Sequence, residues 1–141
     1  MSRRPLSCFV LALSAALTPA TAAVASTDPP MFLDDLAQRP SAMPPAFEAT
    51  STVALEGLRW SHWGSATATG RGTLRINTCE PTCADGRVRV LPDSQLQVQG
   101  VRIDNGRHFY RQYRILNASF SPSDRAQYSR WAGAYTPGDF R

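Results

Sequence analysis

No lysine occurs in this chain; all fifteen basic residues are arginine, which composition bias explains before function does. Cysteine is scarce at three and histidine at two, so metal and redox chemistry have few ligands to draw on. There is no second cysteine pair of the kind structural zinc requires and no C-x-x-C at a helix start for thioredoxin-type redox exchange. The sequence has no G-x-S-x-G elbow, no H-E-x-x-H and no glycine-rich phosphate loop. Gly70-Arg71-Gly72 falls at a strand start, so it is no dinucleotide fingerprint. No internal repeat is present, and no cofactor motif is read. No apolar run reaches the roughly 18–20 residues of a membrane span, which argues against a transmembrane anchor.

What is present begins with an export signal. Arg3 and Arg4 form a basic start, Cys8 to Leu17 is a short apolar run, and Ala23-Val24-Ala25 fits a cleavage site before Ser26. Ala20-Thr21-Ala22 competes as a second site. The paired arginines also match a twin-arginine address, although an ordinary secretory signal is the favoured reading. Cys8 opens the apolar run instead of ending it, which argues against lipid attachment. Loss of residues 1–25 leaves 116 of 141 and takes the basic residues from fifteen to thirteen against eleven acidic, a net of +2. Nucleic-acid binding thereby loses its compositional support. The expected location is periplasmic or extracellular.

Residues 26–51 read as a proline-rich linker, extended or disordered, with one apolar patch at Met31-Phe32-Leu33. The folded domain is predicted over 52–117. Val53 and Leu55 alternate with small and polar residues; Leu74 and Ile76 alternate with Arg71, Thr73, Arg75 and Asn77. Asp85-Gly86 and Pro92-Asp93 read as turns around Val88 and Val90. Leu96 and Val98 then alternate with Gln95, Gln97 and Gln99. The phase flips at Gly100, which predicts a bulge or bend. A further aromatic-rich strand runs from His108 to Leu116. The class is all-β: a small sandwich or barrel of five to six antiparallel strands. In the tail over 118–141, Ser121 as N-cap with Pro122 next predicts a short helix to about Trp131.

Cys79-Glu80-Pro81-Thr82-Cys83 predicts a structural disulfide in an exported protein, with Pro81 bringing the two Cα atoms together. The alternative is zinc held by Cys79, Cys83, His62 or His108, and Asp85. Trp60 and Trp63 are oddly spaced and so point to opposite strand faces. Trp60 belongs with the core; Trp63 either packs under a loop or, beside His62 and Arg59, offers a stacking surface for a sugar or peptide. The band His108, Tyr110, Arg111, Tyr113, Arg114 reads as cation–π packing across a sheet before it reads as a nucleic-acid surface. A hydrolase triad can be written from Ser61 or Ser65, His62 or His108, and Asp85 or Asp104, but no motif supports it. Asn117-Ala118-Ser119 is a glycosylation sequon.

The pattern W-x-x-W-G at Trp60, Trp63 and Gly64, A-x-G-x-G-T from Ala68 to Thr73, and C-x-P-x-C-A-x-G from Cys79 to Gly86 resembles a group of small uncharacterised exported proteins and lipoproteins common in actinobacteria. The resemblance covers residues 55 to 116. It implies export and a compact β fold with the cysteines paired, and it brings no known activity. This chain lacks the lipid-attachment cysteine of the lipoprotein members and adds the tail from Asn117. The expectation is a non-catalytic exported binding or envelope-associated module; a carbohydrate or cell-wall module using Trp63, and a small secreted hydrolase, are the alternatives.

Overall fold

The turn residues set the connections: short links between consecutive strands force antiparallel neighbours. The computed structural model describes residues 28–141. The predicted signal over 1–25, with its cleavage sites, twin arginines and Cys8, lies outside the described residues. The elements are β1 (Met31–Phe32), β2 (Ala46–Thr50), β3 (Val53–Ser61), β4 (Thr67–Asn77), β5 (Val88–Asp104), β6 (Arg107–Leu116), α1 (Pro122–Tyr128) and β7 (Ala132–Gly133), followed by a 3₁₀ turn at Pro137–Phe140. All strands belong to one sheet in the order β1-β6-β5-β4-β3-β2, with β7 also on β6. Every pairing is antiparallel except β1 with β6.

The sheet is curled. The ring of Phe47 on β2 lies 5.0 Å from that of Tyr113 on β6, although three strands separate β2 from β6 in the sheet order. Leu55, Leu74, Leu96, Val98 and Ile115 are fully buried inside the curl, as their period-two spacing requires. The predicted all-β class and short C-terminal helix are found. Ser121 caps α1 with a capping box: its hydroxyl accepts from Asp124 N–H at 3.1 Å, and Asp124 accepts from Ser121 N–H at 3.1 Å. The helix ends at Tyr128, one turn short of Trp131.

The segment before Thr52 departs from expectation. It contributes β1 and β2 to the sheet, with Met31, Leu33, Phe47 and Ala49 buried. Pro40, Pro44 and Pro45 stand between two short apolar pieces, Pro29 and Pro30 precede the first, and those pieces pack onto the core. Proline removes donors but not acceptors: the Pro45 carbonyl accepts from Leu58 N–H at 2.9 Å. The free edge of β2 is blunted as well. Glu48 N–H donates to the Asp35 carboxylate at 2.9 Å and the Glu48 carbonyl accepts from Leu36 N–H at 3.0 Å, which protects the edge from pairing with another chain.

Pro92-Asp93 is not a turn. The pairs Gly72↔Ser94 and Leu74↔Leu91 leave one extra residue on β5, so the two residues form a bulge inside a seventeen-residue strand. Asp93 takes a positive φ of 54°. The bend expected at Gly100 is present as a φ of 68° and does not break the β5–β6 register. Beyond it Val101 and Ile103 turn outward and are exposed.

Candidate functional site

Cys79 and Cys83 are joined, with an S–S distance of 2.07 Å. The bond consumes both thiols that a zinc site would need. Around it, the Asn77 side chain accepts from Cys79 N–H at 2.9 Å and donates to the Cys83 carbonyl at 2.8 Å. The loop is a pinned corner between β4 and β5.

Trp60 and Trp63 meet edge-to-face, ring centroids 4.7 Å apart, and Trp63 meets Tyr110 the same way at 5.1 Å. Every polar handle in this cluster is already used. Trp60 Nε1 donates to the Pro44 carbonyl at 2.7 Å and Trp63 Nε1 to the Met31 carbonyl at 3.2 Å. The Tyr110 hydroxyl accepts from Gly64 N–H at 2.8 Å and donates to the Ser65 carbonyl at 3.0 Å. Burial pushes the Tyr110 phenol's pKa up, which keeps that donor in place. Gly70 faces the Trp60 ring; a Cβ there would stand 3.1 Å from Trp60 Cε2, so the motif glycine makes room for the indole. Trp63 is thus half-buried against the core, with its N–H spent on the N-terminal segment. Packing under a loop, one of the two readings of this residue, is what its contacts describe. His62 sits exposed in the β3–β4 turn, and Arg59 is exposed on β3.

The paper triads do not assemble. Ser61 donates its hydroxyl to the Thr69 carbonyl at 3.2 Å. Asp104 accepts from Gly138 N–H at 2.6 Å and pairs with Arg141, while Asp85 bonds to Thr82 at 3.2 Å. The sequon side chain is also committed: Asn117 Nδ2 donates to the Pro92 carbonyl at 2.9 Å and to Ser94 Oγ at 2.8 Å. Of the arginine–aromatic band, Arg114 lies over Trp131, a ring from outside the band, at 4.5 Å; beside the band, Arg107 lies over Phe32 at 4.1 Å and over Phe109 at 5.4 Å.

What the fold brings together lies on the outer face of the sheet. Gln95, Gln97 and Gln99 alternate with the core residues Leu96 and Val98, so they point away from the core. Register aligns them in rows across four strands. One row is Ser61, Thr69, Gln97 and Arg114; the next is Thr67, Gln99 and Gln112; the third is Arg59, Arg71, Gln95 and Leu116. Gln99 Nε2 donates to Gln112 Oε1 at 3.1 Å, and Arg114 Nε donates to Gln97 Oε1 at 2.8 Å. These bonds fix the planes of the side chains and leave further donors and acceptors on each. Trp131 flanks the face through its stack with Arg114. At its lower end, between the third row and α1, lies a hollow of about 430 Å³ lined by Arg71, Gln95, Asn117, Arg125 and Asp93.

The glutamine alternation was visible in the sequence as a strand face. Gln112, Trp131 and the hollow were not, because their place depends on cross-strand register and on the helix. Among the described residues, no helix is long and apolar enough to cross a membrane. No family model, curated protein or solved structure matches the chain.

Proposed function

We propose that this chain is an exported, non-catalytic binding module that holds a polysaccharide of the cell envelope against the outer face of its sheet. The observation that carries the reading is the pair of adjacent rows that set the planar side chains Gln97 and Arg114 beside Gln99 and Gln112, each pair oriented by its own hydrogen bond and open to solvent on one side. Sugar hydroxyls act as both donors and acceptors, and fixed amides and guanidinium groups match them with little loss of rotamer freedom. Trp131 supplies the apolar body on which a sugar ring stacks. The export signal read over residues 1–25 supports placing the protein where such polymers occur. The proposed sugar surface thus moves from the Trp63 side to the Trp131 side.

Co-sedimentation with insoluble cell-wall material tests it. Wild-type protein is expected in the pellet, and the Gln97→Ala/Gln99→Ala variant in the supernatant with an unchanged melting temperature. Equal retention of both, or none of either, refutes the reading.

A further inference from the structure

Most arginines of the described chain are already engaged. Arg39, Arg75, Arg89, Arg102 and Arg141 pair with carboxylates, and Arg107 and Arg114 cover aromatic rings. Arg59 and Arg71 do neither, as is also true of Arg87, Arg111 and Arg130, but Arg59 and Arg71 stand directly opposite each other on β3 and β4. Like charges in that position repel and weaken the sheet. Arg71 also lines the hollow beside α1, across from Arg125. The Arg125 guanidinium is fixed there by two bonds to the Phe120 carbonyl, at 3.2 Å from Nε and 2.8 Å from Nη2, so its Nη1 is left to donate. The one carboxylate lining the hollow is Asp93, which takes part in no ion pair within 4.0 Å among the described residues.

We infer that this hollow is an anion subsite, and that the polysaccharide bound on the outer face carries oxyanion groups, carboxylate or phosphate, that seat between Arg71 and Arg125 with Arg59 behind them. The inference rests on the polysaccharide reading. Two guanidinium groups against one carboxylate line the site, Arg59 opposite Arg71 adds to the positive field, and Gln95 on the same row adds a neutral donor. A fork of N–H donors fits the planar carboxylate and the tetrahedral phosphate alike.

The test measures affinity for three immobilised polymers: polygalacturonate as the carboxylate source, poly(glycerol phosphate) as the phosphate source, and neutral dextran. Wild-type protein is expected to prefer at least one acidic polymer over dextran, with the preference shrinking as salt rises. Which acidic polymer wins identifies the anion. Arg71→Gln should weaken the preferred acidic polymer about tenfold, the loss of roughly one charge-assisted hydrogen bond. Asp93→Asn should strengthen it, a gain no merely structural role produces. If both variants leave acidic binding unchanged, or dextran binds as well as the acids, the anion subsite is wrong while the polysaccharide reading stands. If none of the three polymers is retained and cell-wall material is not sedimented either, both are wrong.

Discussion

At the residue scale, the most unusual group is Asp34. It is 1 % exposed, its Oδ1 accepts from Asp35 N–H at 3.0 Å, and its Oδ2 has no partner. It lies between the N-terminal segment and the C-terminal stretch, bridged to Tyr135. Burial raises its pKa; the Asp35 N–H bond opposes this, and among its charged neighbours Asp35 and Asp139 raise it while Arg107 lowers it. A carboxyl whose folded pKa is raised contributes stability below its unfolded pKa, near 3.9, and loses it as pH rises through the folded value. Wild-type stability should therefore fall over that window relative to Asp34→Asn. Melting curves of the two proteins at stepped pH check this; the gap should widen in favour of the variant as pH rises, and parallel curves would refute the assignment. Trp63 makes a second prediction. With its ring in the aromatic cluster and its N–H on Met31, Trp63→Ala should cost about 2–3 kcal/mol of stability in denaturant titration. Any loss of binding should follow from unfolding, not precede it.

At the element scale, α1 is held by one ion pair, by its own cap, and by Tyr128 packed on the core and on Phe120. Arg89 reaches Asp124 with two hydrogen bonds of 3.0 Å, and that guanidinium, aided by the Ser121 bonds, holds the Asp124 carboxyl well below the usual carboxylate range. The linkage has the opposite sign to that of Asp34: this stability is present above the unfolded pKa and is lost as pH falls toward the folded one. Ser121→Ala should cost about 1 kcal/mol and loosen the helix first. Hydrogen exchange of the Asp124 and Arg125 amides reads that loss directly; unchanged protection there would contradict the cap's role. This cap was legible in the sequence because it is local, four residues reading as one motif. The same holds for the strand faces of β4 and β5 and for the cysteine corner. The segment 28–51 was not legible, since Met31-Phe32-Leu33 and Phe47 are too short to show a period and matter only against a curl built by later residues. Pro92-Asp93 misled for a related reason: a turn and a bulge share local chemistry and differ only in what lies across the sheet.

At the scale of the whole molecule, the curl separates two sets of side chains. The inside takes Phe47, Leu55, Leu74 and Leu96, and the N-terminal segment closes its edge through Leu36, Asp35 and Glu48. The outside is left with amides, hydroxyls and guanidinium groups in three rows. The binding proposal therefore depends on topology, and β5 alone displayed only its glutamines. Deleting the corner disulfide by Cys79→Ser/Cys83→Ser should leave the face intact, since so short a loop contributes at most about 2 kcal/mol; polymer retention should survive it. The most direct measurement is a two-dimensional ¹H–¹⁵N spectrum titrated with an oligosaccharide from the retained polymer. The side-chain amides of Gln97, Gln99 and Gln112, the Arg114 Nε–H and the Trp131 indole should shift together, with the Trp60 and Trp63 indoles unmoved. Shifts centred on Trp63 and His62, with the glutamines silent, would contradict it.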